Sequence, residues 1–234
     1  ARDLPIIPVN HIEGHVSANY VAHPDLEPPF VCLVASGGHS HIVNVTRFGS
    51  YELLGGTTDD AAGEAFDKVA RVLNIPYPGG PLLDKLADEG NEHAYKFPRP
   101  HTEGKYDFSF SGLKTAVINQ AHNLRQQGIE IDAKDSAASF RRSVVDLLVD
   151  KTLLAARDTG AQKLAVAGGV AANSLLRREL ERRGSAAGMA VYMPPKALCT
   201  DNAVMIGAAG FYSLMAGQLA GLDLNALPSL RMFA

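Results

Sequence analysis

The stretch Phe30-Val31-Cys32-Leu33-Val34-Ala35-Ser36-Gly37-Gly38 is a continuous apolar run with β-branched content that stops on a glycine pair. A run of this length without alternation reads as a strand buried on both faces, and Ser-Gly-Gly reads as the turn that ends it. The same signature returns at Lys163-Leu164-Ala165-Val166-Ala167-Gly168-Gly169. Two buried strands, each closed by Gly-Gly, predict an α/β fold with a candidate nucleotide or phosphate site at its turns. Glycine lets the backbone come close to a ligand, and successive N–H groups can cradle an anion. The spacing matches neither G-x-x-x-x-G-K-[ST] nor G-x-G-x-x-G, so P-loop and Rossmann sites are poor descriptions.

Outward from the first strand, His41–Thr46 alternates as the second arm of a hairpin and Tyr51–Leu54 supplies a third strand. Asp59-Asp60 predicts an acidic helix start, with the helix running to Leu73. Another helix is expected around Leu82–Glu89, after a run rich in Pro and Gly. Residues 91–110 read as a loop. Helices follow at Ser111–Gln127, Lys134–Thr159, Ala171–Arg183 and Asp201–Gly217, with a strand at Met189–Met193. No repeat of fixed period is present.

Two histidines stand four residues apart in Asn10-His11-Ile12-Glu13-Gly14-His15. On a helix, positions i and i+4 share a face, so His11 and His15 can aim two imidazoles at one point, as metal ligands do. The order differs from H-E-x-x-H, where Glu follows the first His and serves as base. Glu13 is expected to point away from the histidine face. His39 and His41, in or beside a strand, are read as hydrogen-bonded residues and not ligands.

The bulk numbers narrow the function classes. The chain has 234 residues, 46% hydrophobic and 20% charged, with mean hydropathy near zero, which is the composition of a globular protein. Its apolar runs break well short of the ~18–20 residues a membrane span needs. The opening Ala1–Pro8 lacks the long apolar core of a secretory signal. Cys32 and Cys199 form no disulfide framework and read as reduced thiols of a cytoplasmic protein; Cys199 has no evident His partner for catalysis. Net charge is −3, so nucleic acid would need basic surface from a partner or further segment. The cluster Arg177-Arg178-Glu179-Leu180-Glu181-Arg182-Arg183 reads as a solvated helix face.

These motifs, together with Asp59–Lys68, Tyr77–Pro81, Phe108–Thr115, Ala167–Asn173 and Cys199–Asn202, stand in the order of one family. The chain resembles the bacterial tRNA N6-adenosine threonylcarbamoyltransferases, once labelled O-sialoglycoprotein endopeptidases. The resemblance implies an actin-like, sugar-kinase-like (ribonuclease H-like) α/β fold of two lobes with a nucleotide cleft. On that pattern, residues 1–29 are the end of the first lobe with the metal-binding helix, and 30–234 the second lobe. Relative to it, the chain lacks about the first hundred residues, including the first strands and glycine turn of the first lobe.

The implied reaction passes a threonylcarbamoyl group from threonylcarbamoyl-AMP to N6 of the adenosine beside the anticodon of ANN-decoding tRNAs, releasing AMP. Metal ligands fall on His11, His15 and Asp201, for Fe2+ or else Zn2+. Substrate contacts fall on Val34, Ala35, Ser36, Gly37, Gly38, Asp67, Gly80, Asp84 and Asn173. Asp67 or Asp84 would accept hydrogen bonds from ribose or threonyl hydroxyls, and no residue is singled out as general base. Glu64 stands between ligand contact and surface charge, and Ser111 and Lys114 are left outside the site. Implied partners are tRNA, a paralogous actin-like subunit and a P-loop ATPase, with no membrane. The competing readings are a metallopeptidase, after the old label, and an inactive actin-like scaffold.

Overall fold

The computed structural model describes residues 4–228. Its centre is a five-stranded sheet in the order β3-β2-β1-β4-β5. The strands are β1 (Phe30–Ala35), β2 (Ser40–Arg47), β3 (Ser50–Gly56), β4 (Lys163–Ala167) and β5 (Ala190–Tyr192). β1, β2 and β3 form an antiparallel meander, while β4 joins β1 in parallel and β5 joins β4 in parallel. Val34 pairs with Ala167, so the two Gly-Gly turns emerge side by side at the carboxyl ends of β1 and β4. That edge, where the chain reverses its direction across the sheet, is where open α/β sheets bind ligands.

Every residue of β1 is fully buried because helices cover both faces. Val31, Leu33 and Ala35 meet the larger core, formed with α2 (Ala62–Val72), α3 (Gly79–Ala87), α4 (Ser111–Gln126), α5 (Ala133–Thr159) and α6 (Ser174–Ala186). Phe30, Cys32 and Val34 alternate onto the other face and meet Ile12, Val16 and Tyr20 of α1 (His11–Ala22). The helix α7 (Ala203–Met215) lies against α1. The unalternating apolar run of the sequence is thus a strand with no wet side.

Several boundaries differ from those expected. The helix predicted from Asp59 begins only at Ala62. Asp59 instead accepts hydrogen bonds from the amides of Phe110 (2.7 Å) and Ser111 (3.3 Å) and from both nearby serine hydroxyls, so it caps α4. Asp60 pairs with Lys68 and Lys114. The helix predicted from Ala171 is preceded by a 3-10 turn at Gly169–Ala172, and α6 starts at Ser174 with Asn173 as its cap. Gly168 makes this turn necessary: its φ is +89°, and an added Cβ would collide with the Ala35 carbonyl. Asn202, and not Asp201, caps α7. The last strand shrinks to Ala190–Tyr192.

The basic cluster is also not a plain solvated face. Glu179 is buried and pairs with Arg182 and, across on α5, Arg142. Arg183 reaches Asp150, and Arg177 donates to the carbonyls of Ala171 and Pro194. These arginines fasten α6 to its neighbours. Among the described residues no helix is long and apolar enough to cross a membrane.

Candidate functional site

His11 and His15 lie on one face of α1, whose N-terminus is capped by the Asn10 side chain accepting from Ile12 and Glu13 amides. Asp201, from the turn before α7, meets them: its Oδ1 is 3.5 Å from Nε2 of His11 and 3.3 Å from Nε2 of His15. Among the described residues these three offer ligand atoms that all lie within 4.8 Å of one another. A charge-assisted imidazolium–carboxylate bond would be nearer ~2.8 Å. Donors placed around an ion with bonds of 2.0–2.1 Å stand roughly 3.4 Å apart at tetrahedral angles. The observed separations therefore fit a shared ion better than a direct bond.

The chemistry of the donors agrees. His15 is 2% exposed while Asp201 is 76% exposed, which leaves one side of the triad open to solvent or substrate. Burial, and then the nearby His11, lowers the pKa of His15, although Asp201 pulls the other way. Its Nδ1 is buried with no hydrogen-bond partner, so a second proton has nowhere favourable to sit. A neutral imidazole keeps the lone pair a metal requires. Two imidazoles and one carboxylate suit a divalent first-row ion such as Fe2+ or Zn2+. Glu13 takes no part: it accepts from Tyr51 of β3 at 3.1 Å.

Beside the triad lies a cleft of about 500 Å³, lined by Gly37, Gly63, Phe66, Asp67, Tyr77, Gly80, Asp84, Asp88, Gly169, Asn173, Ser174, Lys196 and Thr200 among others. Of the nine residues expected to contact substrate, it gathers Gly37, Asp67, Gly80, Asp84 and Asn173. Val34 and Ala35 have wholly buried side chains, and Ser36 is nearly buried, its Oγ accepting from the His39 amide. A Cβ added at Gly37 or Gly38 would meet no protein atom within 4 Å, so the turn presents bare backbone to the cleft side. Gly63 has the opposite constraint, because a Cβ there would stand 2.6 Å from the Ser36 carbonyl oxygen. It lets α2 press against the turn, and its amide donates to that same oxygen at 3.2 Å.

The acidic residues are individually placed. Asp67 accepts from the Gly80 amide at 3.0 Å, tying α2 to the start of α3. Asp84 accepts from the Ser174 amide and hydroxyl, and from Arg141. Asn173 spends its Oδ1 on the Leu176 amide. Two links join cleft and triad: Thr200 on the cleft wall precedes Asp201, and His39, two residues after Gly37, has its pKa lowered by burial first and then by the nearby His11. Glu64 pairs with Lys68 at 2.6 Å and is no cleft residue. Cys199 is buried, and burial raises its pKa, so a reactive thiolate is disfavoured. Sequence reasoning missed Phe66, Asp88, Ser174, Lys196 and Thr200, whose residue types carried no signal. It also missed Arg141, far from Asp84 along the chain.

The reversed 3-2-1-4-5 sheet with a ligand cleft at its switch point defines an actin-like α/β protein. Solved structures agree on the fold alone: HypF from T. kodakarensis superposes with a TM-score of 0.71 at 16% identity, covering 92% of this chain and 38% of that one. Component A of the (R)-2-hydroxyglutaryl-CoA dehydratase of Acidaminococcus fermentans does so at 0.51 and 18%, covering 88% and 68%. The family model described as tRNA N6-adenosine threonylcarbamoyltransferase matches residues 1–208, and the chain belongs to that family of acyl-transferring enzymes. A relative of that name from Clostridium botulinum (strain 657 / Type Ba4) is 54% identical over 99% of this chain. Another, from Clostridioides difficile (strain 630), is 50% identical over 98%. The chain spans 68% of the length of each.

Proposed function

We propose that this chain carries the nucleotide and metal half of a transferase that modifies tRNA, moving a threonylcarbamoyl group from threonylcarbamoyl-AMP to N6 of the adenosine next to the anticodon. The observation that carries the reading is the adjacency of the acid-lined cleft and the His11–His15–Asp201 triad across Gly37 and Thr200. The cleft lining is chemically mixed. Asp67 and Asp84 offer acceptors for ribose hydroxyls, with the exposed Tyr77 ring as apolar surface for a base. The bare backbone of Gly37 and Gly169 and the Lys196 ammonium suit a phosphate.

A divalent ion held by the triad, Fe2+ in first place and Zn2+ in second, would supply Lewis acidity toward a carbonyl or phosphate oxygen. The chain's own residues do the rest. Asp67 and Asp84 orient the nucleotide, and backbone N–H groups of the two glycine turns stabilise negative charge on phosphate, worth ~3–4 kcal/mol for a well-placed donor. An exocyclic amine is a weak nucleophile, so holding it against the activated carbonyl is the main source of rate. Residues 1–29 are read as the end of a first lobe seated on the second, 30–234. The reading carries a cytoplasmic setting and, as partners, a paralogous actin-like subunit and a P-loop ATPase.

The test is calorimetry of AMP and of a threonylcarbamoyl-AMP analogue binding to the metal-loaded chain, repeated after chelation and on Asp201→Ala. Saturable binding of both, weakening for the analogue when the metal is removed, supports the reading. Metal retention with no affinity for either nucleotide sinks it.

A further inference from the structure

Behind the cleft residues Asp84 and Asp88, α5 buries a guanidinium. Arg141 is 4% exposed. Its Nη1 faces the Asp84 carbonyl at 2.6 Å, Asp84 Oδ1 at 2.8 Å, Asp88 Oδ1 at 2.7 Å and Ser174 Oγ at 3.3 Å. Asp84 also takes the Ser174 amide on Oδ2 (2.9 Å) and the Ser174 hydroxyl on Oδ1 (3.0 Å). A carboxylate has about four lone-pair sites. Arg141 and Ser174 fill those of Oδ1, and the Ser174 amide takes one on Oδ2. One acceptor site on Oδ2 is left unspent.

A buried ion pair is a poor way to stabilise a fold, since an apolar residue of similar volume often does as well or better. Here the charge costs more than usual, because Nε of Arg141 is buried with no hydrogen-bond partner. The guanidinium joins three elements, however: its own α5, Asp84 on α3 with Asp88 just past its end, and Ser174 at the start of α6. All three partners line the cleft, and Arg141 does not. We propose that Arg141 is a positioning residue for nucleotide binding, locking the Asp84 carboxylate so that its free Oδ2 acceptor meets a ribose hydroxyl. This rests on the reading of Asp84 as a ribose contact. All of these contacts come from the single Nη1 nitrogen, whose N–H groups the rigid guanidinium plane aims at fixed angles, whereas a lysine ammonium turns freely on its stem.

The experiment compares AMP with 2′,3′-dideoxy-AMP by calorimetry on the whole chain and on Arg141→Gln, Arg141→Lys and Asp84→Asn, each checked for folding by circular dichroism. The wild-type chain is expected to prefer AMP by roughly ten- to a hundredfold, the range of a hydrogen bond to a charged group. In both Arg141 variants that preference should collapse toward unity while affinity for the dideoxy nucleotide holds. A purely structural role would weaken both ligands together and leave their ratio intact, and that result in a folded variant overturns the proposal. Where Arg141→Gln does not fold, Arg141→Lys, which keeps the buried charge, gives the same readout. If the wild-type chain binds AMP without preferring it to the dideoxy form, the ribose reading of Asp84 is wrong and the positioning role falls with it. If AMP does not bind at all, the function proposed above is what fails.

Discussion

Asn19, buried on the inner face of α1, donates from Nδ2 to the carbonyl of Val166 in β4 at 3.1 Å. A second contact from the same nitrogen, to the Val16 carbonyl at 3.3 Å, holds the side chain to its own helix. The amide therefore pins the helix that carries His11 and His15 to the strand that leads into Gly168. Asn19→Ala removes this buried hydrogen bond between helix and strand and should cost about 0.5–1.5 kcal/mol. Because the helix loses its fixed height on the sheet, metal affinity should drop as well. Chemical denaturation and competition with a chelator measure the two effects, and a stability loss with undiminished metal affinity would show that α1 is held elsewhere.

Asp201→Ala should separate metal binding from folding. The carboxylate is exposed and its partners are the two histidines of the triad. Removing it takes away one ligand of three, while a surface change of this kind ordinarily alters stability by no more than ~0.5 kcal/mol. Metal content by elemental analysis should fall while the melting temperature of the metal-free chain stays put. A variant that keeps full metal content refutes the ligand assignment.

Asp59 should matter to α4 and not to α2. Burial by itself would raise its pKa, yet the hydrogen bonds from Ser109, Phe110 and Ser111 outweigh that and hold it below the usual carboxylate range. Asp59→Ala removes the cap of α4 and should cost about 1 kcal/mol, the usual worth of an N-cap. Hydrogen exchange gives the location: faster exchange in the first turn of Ser111–Gln126, with Ala62–Val72 unchanged, is the expected pattern.

Acid should loosen the metal-free chain through its buried and half-buried imidazoles. Burial lowers the pKa of His15, His39 and His41 from the ordinary 6.5. The unfolded chain then takes up protons near pH 6.5 before the folded one does. The stability these groups support is thus intact above that pH and is lost as pH falls toward their lowered folded values. Urea midpoints measured from pH 8 to pH 5 should decline below about 6.5, the ordinary imidazole value. His15→Gln should flatten the decline, and an equally steep profile in that variant would remove His15 from the account.

Much of this was legible in the chain itself. The run Phe30–Ala35 with its glycine pair, repeated at Lys163–Gly169, fixes two doubly buried strands because apolar side chains on both faces leave no wet side. The i, i+4 spacing of His11 and His15 puts both on one helix face by backbone geometry alone. Local capping chemistry was less readable. Asp59 stands directly ahead of α2 in sequence, and nothing local says that it bonds instead to Ser111, brought to it by the loop over residues 91–110. In the same way Arg177–Arg183 looks solvated until α5 presents Arg142, Asp146 and Asp150 to it.

The sequence by itself determined part of the candidate site: two imidazoles by helical period and two bare turns by residue type, while Asp201 joined them only through the family resemblance. Tertiary structure alone decided the distances. The parallel pairing of Val34 with Ala167 sets the glycine turns side by side. The packing of α7 on α1 carries Asp201 to the histidines. The crossing of α5 beneath α3 puts Arg141 under Asp84. Such relations join residues far apart along the chain, where no local pattern constrains them, and they exist only because burial of the two core faces leaves these elements one way to pack.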